Sequence, residues 1–274
     1  MSIVFLVPSK AMAETAGRVA EEFKSDRIII SQGLLSKAIP LAKALEEQDA
    51  EVFITRGGTA LVLKQAGIRT PVVEIPITGK DMTDALARAR DLTGKEHPRI
   101  AVVAFGNMMK HLVDFLPLIS LDLRCHELER EEDAARAVDR TIRDGADVVL
   151  GGVVTVRTAK ERGLPAVLLE SGESSFRHAL HDARRIAYAR KLESRRGMEF
   201  RAILEYAYEG IVAVNGGGTI SLFNPIAEEL TGVRAKDALG NPQGKLFPPF
   251  NWTKFSPTGK ATPAGLSGSE SSKS

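Results

Sequence analysis

Eight short apolar runs, separated by longer amphipathic segments, constrain the fold of this chain more than any other feature. Each run has four to seven residues rich in Val, Ile and Leu, which is typical of strands buried on both faces of a parallel sheet. The runs are Ile3–Val7, Arg27–Ile30, Glu51–Thr55, Pro71–Ile75, Arg99–Phe105, Leu121–Cys125, Asp147–Leu150 and Ala166–Glu170. The segments between them, such as Leu34–Glu47 and Arg130–Asp144, are long enough for the crossover helices that parallel neighbours require. The pattern therefore predicts a doubly wound α/β fold.

A break in this pattern after Phe105 indicates two lobes. Gly106-Asn107 follows the fifth run, a helical segment Met108–Ile119 comes next, and a fresh series of strand and helix units then begins. We expect two Rossmann-like parallel-sheet lobes at about residues 1–105 and 108–172, with a cleft between them and a hinge near Gly106-Asn107. A single eight-stranded sheet is the alternative.

The pattern changes again after the eighth run. A helix at residues 173–194 is expected to close a first domain that spans residues 1–194. Its basic middle, with Arg184, Arg185, Arg190 and Lys191, is interpreted as a solvated connector, because no aromatic side chains are interleaved for stacking on nucleic acid.

A second domain is expected at residues 195–250. Gly210–Val214 and Thr219–Phe223 flank a Gly-rich turn and predict a β-hairpin. Asn224-Pro225 then predicts the start of a short helix that ends at Gly232. The Ser- and Gly-rich residues 251–274 are expected to be a disordered tail.

Composition excludes several classes of protein. The chain has 274 residues, of which 26% are charged and 43% hydrophobic, and its net charge is +2, so no general attraction to nucleic acid or membrane is expected. Cys125 is the single cysteine, which excludes an internal disulfide and a Cys-based zinc site. No run of about 18 apolar residues occurs, so we expect no membrane helix and a cytoplasmic location.

Glycine-rich turns at strand ends are the candidate binding motifs. Arg56-Gly57-Gly58-Thr59 directly follows the third strand and opens a helix, where backbone N–H groups and a guanidinium can hold an anion. Gly151-Gly152, followed by Thr155, repeats the arrangement in the second proposed lobe. Two such turns across a cleft would suit a ligand with more than one carboxylate. A tight turn with a capping Thr is the alternative for each motif.

Three further strand ends supply candidate ligand contacts. Ser9 follows the first strand, Gly106-Asn107 the fifth, and Ser171 and Glu173 the eighth. A helix cap or a turn explains each of them equally well.

Catalytic and cofactor motifs find little support. There is no Walker A spacing, and Val7-Pro8-Ser9-Lys10 stands where a GxGxxG fingerprint would follow the first strand. His178 and His181 share a helix face, but no third metal ligand stands out. We therefore expect no cofactor, no metal and no enzymatic activity.

Longer stretches around these motifs resemble a known family. ITRGGTALVLKQAGIRTPVVEIPITGKDM (Ile54–Met82) and GGVVTVRTAKERGLPAVLLESGESSFRHAL (Gly151–Leu180) resemble the sensory domain of propionate catabolism activators, the PrpR N-terminal domain. That resemblance covers about residues 2–193. The stretch Phe200–Gly232 resembles the first half of a PAS domain. This order is similar to that of activators which work with sigma-54 RNA polymerase.

The resemblance implies a ligand-sensing regulatory region that binds a small organic acid or related metabolite between two lobes. In the family such a region controls an AAA+ ATPase and a helix-turn-helix domain, neither of which occurs in this sequence. We therefore expect either a truncated gene product or a stand-alone sensor, with no direct DNA binding. A homodimer, paired through the helix and the PAS segment, is also expected. Two alternatives remain: an enzyme acting on a small carboxylic acid, and a truncated partner that dimerises with a full-length activator.

Overall fold

The structure, a computed structural model, describes residues 1–24, 26–113 and 123–246, with no side-chain description for 111–113. The chain divides into two compact units between Lys191 and Leu192. Within the described residues, none of the helices has the length and apolar character needed to cross a membrane.

The first lobe of the first unit is a four-stranded parallel sheet. Its strands lie in the order β2-β1-β3-β4 and are β1 (Ser2–Val7), β2 (Arg27–Gln32), β3 (Val52–Thr55) and β4 (Val72–Glu74). Its helices are α1 (Lys10–Ala20), α2 (Ala38–Glu47) and α3 (Gly57–Gln65), with short 3-10 turns at Glu21–Phe23 and Leu35–Lys37. Residues Ile3–Val7 of β1 and all of β3 are buried because helices cover both faces of the sheet.

The second lobe repeats this plan. Its four parallel strands lie in the order β6-β5-β7-β8 and are β5 (Ile100–Phe105), β6 (Leu123–Leu128), β7 (Val148–Gly151) and β8 (Ala166–Leu168). Its helices are α4 (Gly79–Thr93), α5 (Gly106–Val113), α6 (Asp133–Arg143) and α7 (Val153–Glu161). The eight predicted strands and the prediction of two parallel-sheet lobes are confirmed, and the single eight-stranded sheet is excluded.

The predicted boundary between the lobes is wrong. Strand β5 pairs with β6 and β7, so it is a central strand of the second sheet and not the last strand of the first. Helix α4 also belongs to the second lobe, because its buried Met82, Ala85 and Ala89 pack in that lobe's core. The chain therefore passes between the lobes at residues 75–78, and Gly106-Asn107 is no hinge. Both sheets contain short apolar strands of similar length, so the sequence pattern does not indicate which sheet a strand joins.

A single long helix, α8 (Glu173–Glu205), follows the second lobe. Its first turns return to the first lobe, where Phe176, Leu180 and Ala183 pack in one core cluster with Phe5. The Ser171 hydroxyl donates to the Pro76 carbonyl at 3.0 Å, which ties together the two segments that connect the lobes. The helix continues past the expected end at residue 194, because one interior glycine, Gly197, lowers helix stability by only about 1 kcal/mol.

The second unit contains the predicted hairpin and short helix. Strands β9 (Val212–Val214) and β10 (Ile220–Phe223) pair antiparallel, and helices α9 (Pro225–Thr231), α10 (Ala235–Ala238) and α11 (Gln243–Leu246) follow. The Asn224 side chain accepts from the N–H groups of Ile211 at 2.7 Å and Ala227 at 3.0 Å, so it fixes the hairpin to the start of α9. The tail expected at residues 251–274 lies outside the described residues.

Candidate functional site

A cavity lies between the two lobes, where the carboxyl ends of their central strands face each other. The order of strands reverses between β1 and β3 and between β5 and β7, and ligands of doubly wound sheets bind at such points. The cavity has a volume of about 50 Å³. The first lobe lines it with Pro8, Met12, Leu34, Leu35, Arg56, Gly57, Gly58 and Thr59. The second lobe lines it with Ala104, Phe105, Met108, Gly152, Val153, Val154, Thr155, Leu168 and Leu169.

Arg56 is the charged side chain of this lining. It has extended backbone and stands as the residue before α3, with only 6% of its surface exposed. Its Nη2 atom is buried without a hydrogen-bond partner, and no ion pair to it occurs within the described residues. Burial lowers the pKa of the guanidinium from its ordinary value to about 10, while the carboxylates of Asp81 and Glu170 partly offset this effect. Arg56 is therefore a desolvated cation with unused capacity to donate to an anion.

The glycines of the first motif let the lobes approach each other. Gly57 has a φ of +55°, and a Cβ atom there would lie 2.6 Å from the Met108 sulfur of the second lobe. A Cβ atom on Gly58 would overlap the Phe105 ring and the Leu35 side chain. Both positions therefore require glycine for close contact between lobes, a reason distinct from the anion-binding turn that the sequence predicts.

The hydroxyls of the two Gly-Gly motifs bond to the protein itself. Thr59 Oγ1 accepts from the backbone N–H of Leu35 at 3.0 Å, and Thr155 Oγ1 donates to the Val103 carbonyl at 2.9 Å. Gly151 is needed for the second of these contacts, because a Cβ atom there would collide with Thr155 and the Val103 carbonyl. Thr59 therefore holds α3 to the turn that follows β2, and Thr155 holds α7 to β5.

Asn107 bridges the lobes outside the cavity lining. Its Nδ2 atom donates to the Gly57 carbonyl at 2.9 Å and to Glu74 Oε2 at 2.7 Å. Its neighbour Gly106 leaves room for the Glu127 carboxylate. Asn107 therefore supports the contact between the lobes, whereas Gly106 packs within the second lobe.

The other candidate residues also lie outside the cavity lining. Ser9 caps α1 by accepting from the Met12 N–H at 3.3 Å. Glu173 accepts from Arg18 Nε at 2.6 Å on the surface, and Ser171 bonds to Pro76 as described. The cavity thus brings together Arg56, Gly57, Gly58, Thr59, Gly152 and Thr155 of the candidate set.

Asp81 is a functional candidate that the sequence reasoning missed. Its Oδ2 atom accepts from the Thr78 N–H and Oγ1, both at 2.8 Å, and from Ser175 Oγ at 2.9 Å. Its Oδ1 atom accepts from the Gly172 N–H at 2.8 Å. Burial raises the pKa of this carboxyl, but the hydrogen bonds from Thr78, Gly172 and Ser175 outweigh that effect and lower it. Thr78-x-x-Asp81 matches a capping box, which is the signal that could have revealed it.

The comparisons with known proteins agree with this architecture. Residues 23–193 match the family described as propionate catabolism activator, over more than half of the chain. The chain belongs to this family. Residues 198–251 match the PAS fold, which covers the hairpin and the short helices of the second unit. A member of this family with a PAS segment is a ligand-sensing regulatory region, in agreement with the expectation from sequence.

The chain is similar to the solved structures of two transcriptional regulators. An NtrC family transcriptional regulator from Clostridium acetobutylicum is 20% identical with a TM-score of 0.57, and the alignment covers 69% of this chain and 98% of that chain. A LacI family transcriptional regulator from Mycobacterium smegmatis is 13% identical with a TM-score of 0.41, over 68% of this chain and 90% of that chain. At these identities the first likeness indicates a common fold alone, and the second is too distant to support an argument.

Replacing Arg56 with methionine is expected to stabilise the unliganded protein. The substitution keeps the volume of the side chain but removes a desolvated charge whose unsatisfied donor costs about 1–3 kcal/mol. Differential scanning calorimetry should therefore record a thermal midpoint a few degrees higher.

Arg157→Met is the matched control, because Arg157 lies on α7, is 58% exposed in its side chain and contacts Glu131 at 3.7 Å. Its midpoint should stay close to that of the wild type, since exposed ion pairs contribute little. A lower midpoint for Arg56→Met than for Arg157→Met would contradict the description of Arg56 as an unpaired cation.

Proposed function

We propose that this chain is the ligand-sensing region of a sigma-54-dependent transcriptional activator and that it binds a small organic acid between its two lobes. The observation that carries the proposal is Arg56, a buried guanidinium with a free donor in the wall of the interlobe cavity. Membership of the propionate catabolism activator family supports a sensory role, and the PAS segment that follows supports the order of an activator. For such a region we also propose a cytoplasmic location.

The carboxylate of the ligand would supply Arg56 with the hydrogen-bond acceptor that water provides to an exposed arginine. An ionised acceptor forms short, strong hydrogen bonds with a guanidinium, and the low dielectric of a buried site strengthens them. Because the cavity wall comes from both lobes, an acid bound there contacts both at once. It would therefore favour the closed arrangement of the lobes over an open one. The size of this shift is set by the difference between the affinities of the ligand for the two arrangements.

The hydrogen bonds of Asp81 provide a route from the cavity to α8. Asp81 lies in the field of Arg56 and also holds the Gly172 N–H and the Ser175 hydroxyl at the start of that helix. A ligand anion at Arg56 would weaken the attraction between Arg56 and Asp81. We propose that the start of α8 responds to this change and that the helix carries it onward.

Binding without chemistry is favoured over an enzyme. Acid–base catalysis requires a proton donor and a proton acceptor within reach of the substrate. Among the described residues that line the cavity, Arg56 is the one titratable side chain, and an arginine with a pKa of about 10 remains protonated at neutral pH.

Isothermal titration calorimetry with a panel of organic acids tests the site. We expect at least one acid among propionate, 2-methylcitrate, citrate and succinate to bind wild-type protein, and Arg56→Ala to weaken that binding at least tenfold, since a charge-assisted hydrogen bond contributes about 1.5–3 kcal/mol. Arg157→Ala serves as the control and should bind as the wild type does. Equal affinity of the wild type and Arg56→Ala would contradict the assigned site.

Pairing with a second copy is a further part of the proposal. Within the second unit, four apolar side chains of α8 are 39% to 66% exposed: Leu192, Met198, Phe200 and Ile203. Apolar side chains concentrated on one helix segment mark an interaction surface more often than scattered ones do. We propose that this segment, residues 192–205, pairs with the same segment of another copy.

Analytical ultracentrifugation measures this pairing directly. The wild type should sediment as a dimer at tens of micromolar, and Ile203→Glu should shift it to a monomer by placing a charge in the contact. Leu92→Glu is the control, because Leu92 is 53% exposed on α4 in the first unit. A monomeric wild type at that concentration would refute pairing.

A further inference from the structure

We infer that the interlobe cavity selects a short monocarboxylate with an unbranched chain of about two to four carbons. The inference rests on the proposed function, since it takes the same site and specifies the chemical class of its ligand. It departs from the expectation, drawn from the paired Gly-Gly turns, of a ligand with more than one carboxylate. Three independent properties of the cavity carry it: charge, polarity and size.

The charges around the cavity suit one carboxylate and oppose a second. Arg56 is the single cation among the described lining residues. The corresponding turn of the second lobe adds no cation, because Arg157 is largely exposed and lies near Glu131, while the Thr155 hydroxyl already donates to a backbone carbonyl. The nearest charges that act on Arg56 are the carboxylates of Asp81 and Glu170. A second carboxylate on the ligand would meet no partner and would be repelled by these two.

The remaining wall is apolar and suits a hydrocarbon chain. Met12, Leu35, Phe105, Met108 and Leu169 surround the space next to Arg56, and each of them is buried. A methylene group that leaves water for such a wall raises affinity about fourfold. A hydroxyl or a second acid group would instead lose its hydrogen bonds to water without replacement.

The size of the cavity limits the chain. One water molecule requires about 10–15 Å³ of such a cavity, so the observed volume of about 50 Å³ holds roughly three to five non-hydrogen atoms. Acetate and propionate, with four and five non-hydrogen atoms, fall within this range, and butyrate, with six, lies just above it, whereas citrate is far larger. The cavity cannot enlarge at Gly57 and Gly58, because Met108 and Phe105 already contact these glycines closely.

A series of acids of graded length tests the inference on the full chain by isothermal titration calorimetry at constant ionic strength. Affinity should rise about fourfold per methylene from acetate to butyrate and fall again at hexanoate. Butyramide, succinate and citrate should each bind at least tenfold more weakly than butyrate, because the amide lacks the charge and the others carry additional carboxylates.

Met108→Ala provides a second readout that does not depend on absolute affinity. Shortening this side chain extends the cavity, so the acid that binds most tightly should be a longer one, closer to hexanoate. Met109→Ala is the matched control: Met109 is also buried in the second lobe but does not line the cavity, so the preferred length should stay unchanged. The thermal midpoint of both variants verifies that they fold.

The outcomes separate this inference from the proposed function. If succinate or citrate binds more tightly than butyrate and Arg56→Ala abolishes that binding, the monocarboxylate inference is overturned while the acid-binding site stands. An optimum length that is the same in wild type and Met108→Ala also overturns it. If none of the acids binds, or if Arg56→Ala binds all of them as the wild type does, both proposals fall.

Discussion

The carboxylate of Asp81 holds together the two places where the chain passes between the lobes. The first passage ends in the Thr78 cap of α4, and the second ends in Gly172 at the start of α8. Four hydrogen bonds from these segments and from Ser175 satisfy both oxygens of a single buried side chain. Because the same carboxylate lies in the field of Arg56, the joint between the lobes and the cavity share an electrostatic connection. We therefore propose that a change in charge at the cavity acts through this carboxylate on the start of α8.

The cavity itself combines tight packing with one unsatisfied cation. The contacts of Gly57, Gly58 and Asn107 bring the lobes close enough to bury Arg56 without giving its Nη2 atom a partner. Such a group costs stability, and native proteins retain it mainly at functional sites. The close contact of the lobes and the free donor together describe a site that an anion of limited size would complete. This is the physical basis of the proposal that the cavity receives a ligand.

Much of the fold could be predicted from the sequence because local patterns determine it. Buried parallel strands need apolar runs, which located all eight strands, and the Asn-Pro start and Gly end located α9. The lobe boundary could not be predicted, since β5 is a short apolar run like β1 and β3 and its pairing is set by distant packing. The role of Asp81 was equally hidden, because its partners Gly172 and Ser175 lie more than ninety positions away in the chain.

Part of the cavity lining could be predicted from the sequence. Strand-end logic identified Arg56 and both Gly-Gly turns, which do meet in the cavity. The prediction did not foresee that the glycines serve the approach of the lobes, that the threonine hydroxyls are already used, or that the walls are apolar. These properties arise from contacts between lobes, such as that of Gly58 with Phe105, and no local pattern encodes them.

The pKa of Arg56 tests the central claim most directly. In the free protein, burial places it at about 10, so the ¹³Cζ resonance of this arginine should titrate there by NMR while exposed arginines remain protonated. A ligand carboxylate favours the charged form and must raise this pKa. With saturating butyrate the account predicts that the Arg56 titration moves to clearly higher pH. A titration midpoint that is the same with and without a bound acid would contradict the claim that Arg56 receives the ligand.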